Sequence, residues 1–414
     1  MYTKETTWAP LITDPGQVSE IRSHIDQIAD KLKERYEEGT LSDSYNLFTG
    51  KSGIALFFYE YSQLSEDESF LELSNELLSS CIEQIEKIPV QSQYYTFCGG
   101  LTGFATALDF FKEQELIDDS ATDILGNNFT SLQKRQARLY LNKKEYDYLH
   151  GAIGIMLYLT SKGVDISDLV RQLVSFAIDK GDAIEWHVMV PYGIDMEGIN
   201  FSLSHGMASI LYFFTYYVEM TGDQEYVPVI EKIVQTFLNY ENRPLVKTTT
   251  MFPSYIILED DSRSIRDSRM GWCYGDLGFG TILYKAATVL KREDWKIKAI
   301  STLEWNTDRR QQTYTKIMDP CFCHGAVGVA HIYNRMYARE QNPALEEAAQ
   351  YWYNQSLSFY RSKGLDGYRA WKAEDYGGPQ LLTGLLDGVT GIGLSYIHAI
   401  TEKEPYWDKI LLLS

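Results

Sequence analysis

The 414-residue chain reads as an all-α protein: an α/α toroid, a double-layered barrel of seven inner and seven outer helices. Two observations predict this. A pair of small residues followed by an apolar run recurs seven times, and segments with the amphipathic periodicity of a surface helix precede these runs.

The pairs are Gly50/Gly53, Gly100/Gly103, Gly151/Gly154, Gly206/Ser209, Gly275/Gly278, Gly325/Gly328 and Gly388/Gly391. Runs such as IALFFY, FATALDFF and ILYFF follow them. One Gly-x-x-Gly is weak, because glycine pairs occur in many turns. Seven copies, with first glycines 50, 51, 55, 69, 50 and 63 residues apart, define a repeat. Small residues in the first helical turn permit close backbone approach. Residues 18–36, 66–88, 169–178, 226–242 and 344–361 carry apolar positions at helical spacing with charges on the other face. The second helix of each repeat is apolar nearly all round and must be buried. An open solenoid leaves one helix of each pair partly solvated, so this apolarity favours closure into one domain over residues 1–414. Residues 405–414, with Trp407, are expected to pack beside the N-terminal helices and seal the ring. Two longer connections, 184–200 and 245–269, contain the β-favouring runs 246–252 and 255–258. At the mouth of a ring they serve as lids or substrate walls, or as plain connectors.

The formal charge of −19 argues against a binder of nucleic-acid phosphates. It suits cationic peptides, or simply a well-solvated surface. Cys81, Cys98, Cys273, Cys321 and Cys323 are odd in number and irregular in spacing. That pattern is no disulfide framework and fits free or metal-bound thiols in a reducing compartment. The N-terminus is polar, without a signal peptide's apolar stretch, and no window suits a membrane span. The chain reads as cytoplasmic.

Cys273 and Cys323 lie two residues before the first glycine of their repeats, and His150, His205 and His324 lie one before. Cys98 also lies two before its glycine, so position alone does not choose the ligands. Adjacency of repeats five and six does, grouping Cys273, Cys323 and His324. A Cys₂His set with an open fourth position is the pattern of a catalytic zinc, one per chain. The closed alternative recruits His205 or Cys321 and makes the zinc structural. Cys98, Cys81, His24 and His398 are expected to carry no chemistry. Two thiolates and a neutral imidazole cancel the charge of Zn²⁺, which suits activation of an incoming thiol better than hydrolysis. Asp147 offers a carboxylate that holds or accepts a proton, Arg269 a cation that steadies negative charge, and Tyr274 a hydroxyl. Their plainer roles are a helix cap, a surface ion pair and a wall.

At these residues the sequence resembles the LanC-type lanthipeptide cyclases. The carriers are Arg269-Met-Gly-Trp272-Cys273-Tyr274-Gly275, Cys323-His324-Gly325, His205-Gly206, and Tyr146-Asp147 before Gly151. With the seven repeats, the likeness spans essentially the whole chain. It implies an α/α toroid with Zn²⁺ on Cys273, Cys323 and His324, proton transfer by His205 and Asp147, and Arg269 and Tyr274 in the pocket. It also implies addition of a peptide cysteine thiol to dehydroalanine or dehydrobutyrine, closing a thioether ring. The expected partners are a dehydrated precursor peptide, a separate dehydratase and an exporter, in a membrane-associated biosynthetic complex. Ser209 in place of a glycine and the extra thiol of Cys321 depart from the pattern. Rival readings are a small-thiol (glutathione) transferase and a non-catalytic peptide-binding module. A prenyltransferase subunit would need a carboxylate ligand, and the paired Trp-Cys-Tyr-Gly and Cys-His-Gly argue against it.

Overall fold

The computed structural model describes residues 8–89, 92–118, 121, 124–190, 194–242 and 250–414. The polar N-terminal residues 1–5, residues 191–193 of the first long connection and residues 246–249 of the β-favouring run lie outside them.

All seven repeats yield the predicted inner helix. These are Lys51–Ser65, Leu101–Glu113, Ala152–Ser161, Met207–Thr221, Asp276–Leu290, Ala326–Glu340 and Val389–Ile400. The outer partners are Pro15–Glu37, Glu68–Lys87, Phe129–Asn142, Ser167–Ser175, Val227–Asn239, Glu293–Trp305 and Pro343–Lys363. The two kinds differ as their sequences require. Pro15–Glu37 buries Ile21, Ile25, Ile28 and Leu32, one stripe at helical spacing. In Ala152–Ser161 every residue from Ala152 to Thr160 is buried. Three of the outer helices start on side-chain caps: Asp14 accepts the Gln17 N–H, Asp67 that of Ser69 and Asn342 that of Ala344. Inner helices start on glycine with no side-chain cap. There a backbone carbonyl seven residues upstream accepts the first amide: Lys51 N–H bonds Ser44 O, Ala152 bonds Glu145 O and Ala326 bonds Asp319 O.

Two compact units are described. The first contains residues 1–93, 103–124 and 317–414. In it Val389–Ile400 packs against both Pro15–Glu37 and Lys51–Ser65, so the last repeat meets the first. Leu385 N–H also donates to Phe48 O (2.7 Å), joining their loops. The C-terminal segment, expected beside the N-terminal helices, is anchored mainly on the sixth and seventh inner helices. Trp407 is buried against Phe322, His331 and His398, and Asp408 bonds His331 and Arg335. The buried Arg335 draws the segment there by pairing with the carboxylates of Asp408 and Glu404.

The second unit contains residues 94–102 and 125–316. Its outer helix expected over 169–178 ends at Ser175, and Ile178–Asp179 instead pairs with Ile184–Glu185 across the Gly181 turn. The two long connections combine: His187–Val190, Met196–Asn200 and Tyr255–Ile257 form one antiparallel sheet in that order. Its Val190, Tyr255 and Ile257 make a small apolar cluster against which Tyr274 packs. Among the described residues no helix is long and apolar enough to cross a membrane.

Candidate active site

Each inner helix is entered through a tight turn that presents the residues just before its glycine. The close approach is severe: a Cβ on Gly206 would lie 2.1 Å from Asn200 O, and one on Gly325 would lie 2.6 Å from Asp319 O. Any side chain there would force the turn open and displace the residues beside it.

In the second unit, two turns place His205 against Asp147. His205 Nδ1 and Asp147 Oδ2 are 2.5 Å apart. The other carboxylate oxygen accepts the Leu149 and His150 N–H groups at 2.6 and 2.8 Å. Asp147 is thus a turn cap and a partner of His205 at once, one role per oxygen. The ring hydrogen bond fixes the imidazole and leaves Nε2 for other work. Burial disfavours the charged ring. The Asp147 hydrogen bond and charge, with Cys273 nearby, outweigh burial and hold the His205 pKa above its ordinary value. His150 is exposed, its ring parallel to that of His205 with centroids 5.9 Å apart.

Tyr274 also stands beside His205, ring centroids 6.3 Å apart, and its hydroxyl bonds that of Tyr255. The sheet built from the two connections therefore forms a wall behind Tyr274. Cys273 is buried, and its carbonyl accepts the Leu203 N–H at 3.0 Å, tying repeats four and five. Arg269 is exposed, four residues before Cys273, and joins none of the described ion pairs. The loop carrying them rests on a buried polar network. Asp276 accepts the Met251 and Phe252 N–H groups and the Asn306 amide, all at 2.9 Å. Arg309 bridges Asn306, Ser268 O and Tyr314 O. Burial raises the Asp276 pKa against these donors.

In the first unit, the turn before Gly325 carries Cys321, Cys323 and His324. Cys323 and His324 are half-buried, whereas Cys321 is buried and burial pushes its thiol well above the ordinary value. Asp319, Cys321 and His324 offer ligand atoms within 4.8 Å of one another, a group able to hold a metal ion. Cys81 and His24 are core residues, and His398 is buried on Lys403 O. Cys98 is half-buried in the second unit, its N–H on Leu149 O.

Sequence reasoning missed Tyr255, Asp319, His150 as a neighbour of His205, and the Asp276–Arg309 network. The run around Tyr255 was the available signal for a wall. Asp319 carried a local signal, six residues before its glycine and five before His324, whereas His150 with His205 and Asp276 with Asn306 had none, because these partners lie tens of residues apart.

With this geometry in hand, comparison with known proteins defines the class. Residues 42–412 match the family model described as "Lanthionine synthetase C-like protein". The chain belongs to that family. Among solved structures it is similar to one titled "Nisin cyclase", with a TM-score of 0.70 and 16% sequence identity over 95% of this chain and 97% of that one. The likeness shows the fold, the all-α toroid of paired helices that the repeat predicts.

Proposed function

We propose that this protein is a zinc-dependent lanthipeptide cyclase. It joins cysteine thiols of a dehydrated precursor to dehydroalanine or dehydrobutyrine as lanthionine or methyllanthionine. The observation that carries the reading is the His205–Asp147 pair held beside Tyr274 and the Cys273 turn. Family membership and the likeness to a protein titled nisin cyclase support it.

Cys273, Cys323 and His324 would hold the zinc, and their chemistry fits: soft thiols and one imidazole suit Zn²⁺. Cys273 and Cys323 occupy the same place in successive repeats, with His324 next to Cys323. When bound, zinc lowers the pKa of a substrate thiol toward neutrality. The thiolate sulfur bonds to the β-carbon of the dehydro residue, and the alkene electron pair moves to the α-carbon as an enolate. His205 Nε2–H then delivers a proton to that carbon, and the thiol's own proton restores the balance, so mass does not change. Asp147 keeps the ring oriented and stabilises its charged form. Arg269 and Tyr274 meet the negative charge that develops on the carbonyl oxygen.

The test is a matching precursor dehydrated by its own dehydratase. The zinc-loaded protein should abolish alkylation of the peptide's free thiols while leaving its unmodified mass unchanged. Cys323→Ala and His324→Ala should lose the metal, and His205→Ala should keep it yet lose ~10²–10⁴-fold in turnover. A peptide that retains every thiol while glutathione adducts accumulate would replace this reading with the small-thiol transferase.

A further inference from the structure

Six residues before the first glycine, the repeats carry Ser44, Tyr94, Glu145, Asn200, Arg269, Asp319 and Leu382. Asn200 and Asp319 fold their side chains back into the turn in the same way. Asn200 Oδ1 accepts the Ser202 N–H at 3.0 Å, and Asp319 Oδ1 accepts the Cys321 N–H at 2.9 Å. In both cases the glycine makes the room. A Cβ on Gly206 would lie 2.8 Å from Asn200 Oδ1, and one on Gly325 would lie 2.5 Å from Asp319 Oδ1. A neutral amide therefore suffices to build this turn. The carboxylate at 319 adds a buried negative charge, 2% exposed, that the turn does not need.

That charge faces the Cys321 thiol and the His324 ring. Asp319 Oδ2 accepts the Trp371 N–H at 2.6 Å and lies 4.0 Å from Nε2 of His324, so a small ring rotation brings the imidazole onto it. At the matching place in repeat four, the Asn200 amide donates to the His205 backbone carbonyl and not to its ring. Metal-ligating histidines commonly give their second ring N–H to a carboxylate, which fixes the tautomer and raises ligand basicity. We propose that Asp319 is a positioning residue for His324: it accepts the Nε2 proton and leaves Nδ1 to the metal. This rests on the zinc reading above and deepens it. Two backbone donors hold the carboxylate, so it orients the ring without itself being needed as a ligand.

Asp319→Asn keeps the acceptor of the Cys321 N–H, as Asn200 does for Ser202, and removes the charge together with the acceptor of the Trp371 N–H. Zinc affinity would be measured by chelator competition, and the Co²⁺-substituted protein by its visible absorption, with the melting temperature of the metal-free form recorded alongside. We expect an affinity about 10–100-fold weaker and a changed cobalt spectrum, with melting of the metal-free form lowered only by the loss of the Trp371 hydrogen bond. Unaltered affinity overturns the proposal. So does a cobalt spectrum identical to that of the unsubstituted protein, which would mark Asp319 as a structural residue only. Absence of zinc from the unsubstituted protein would instead overturn the proposed function itself, so the two failures are told apart.

Discussion

At the residue scale, the Asp147 carboxylate is divided between two tasks, and a single atom change separates them. Asp147→Asn retains one oxygen for the Leu149 and His150 N–H groups while replacing the acceptor of His205 Nδ1. The turn should survive, but the imidazole loses its tautomer control. Turnover is expected to fall roughly 10²–10⁴-fold with zinc content unchanged, as read by ring-closure kinetics and metal analysis of one preparation. Zinc loss in this variant would show that His205 belongs to a closed four-ligand site. Cys98 makes the complementary control. It occupies the same repeat position as Cys273 and Cys323 yet belongs to repeat two, and Cys98→Ala should keep full metal.

At the scale of elements, the inner helices depend on what their first glycine allows. Gly275 is the severe case among the seven: its φ is +92° with ψ −168°, and a Cβ would lie 2.4 Å from Arg269 O. That backbone region is essentially restricted to glycine, and strain there costs about 1–3 kcal/mol before any clash. Gly39 has φ +66° with nothing within 4 Å of a Cβ. Gly39→Ala should therefore cost only about 1–2 kcal/mol, whereas Gly275→Ala should cost more and disturb the Cys273 turn. Denaturant unfolding of both variants checks the ranking, and equal losses would show that the Gly275 turn relaxes freely.

At the scale of the whole molecule, the chain's C-terminal end is held by charge buried in the first unit. Arg335 bonds both oxygens of Asp408, which also accepts from His331, and Trp8 lies over the guanidinium. Burial works to raise the Asp408 pKa, but the Arg335 charge dominates and holds it at about 2, from an ordinary 3.8. Since the folded value lies below the unfolded one, the stability contributed by ionised Asp408 is fully present above pH 3.8. It is lost as pH falls towards 2. Asp408→Asn should remove that part of the acid dependence and, by leaving Arg335 only Glu404 as a charged partner, cost about 1–3 kcal/mol at neutral pH. Unfolding free energies at several pH values between 2 and 7 test both statements. An unchanged acid slope would assign the stability loss to other carboxylates.

The sequence by itself determined the repeat, the helix pairs and the chemical candidates. A buried all-apolar helix and an amphipathic one cannot exchange places, and seven glycine pairs mark where each inner helix starts. Local patterning is enough for that because periodicity and close approach act over a few residues. Only the tertiary structure decided how side chains from separate repeats are shared. It gave one oxygen of Asp147 to a turn and the other to His205, 58 residues away. It ended an outer helix at Ser175 because Ile178 and Asp179 gain a strand partner across a hairpin. It joined two unrelated connections into a sheet behind Tyr274 and sent the C-terminal segment to Arg335. These are hydrogen bonds and buried charges whose partners are far apart in the chain. Composition and spacing set their supply, and folding alone sets their pairing.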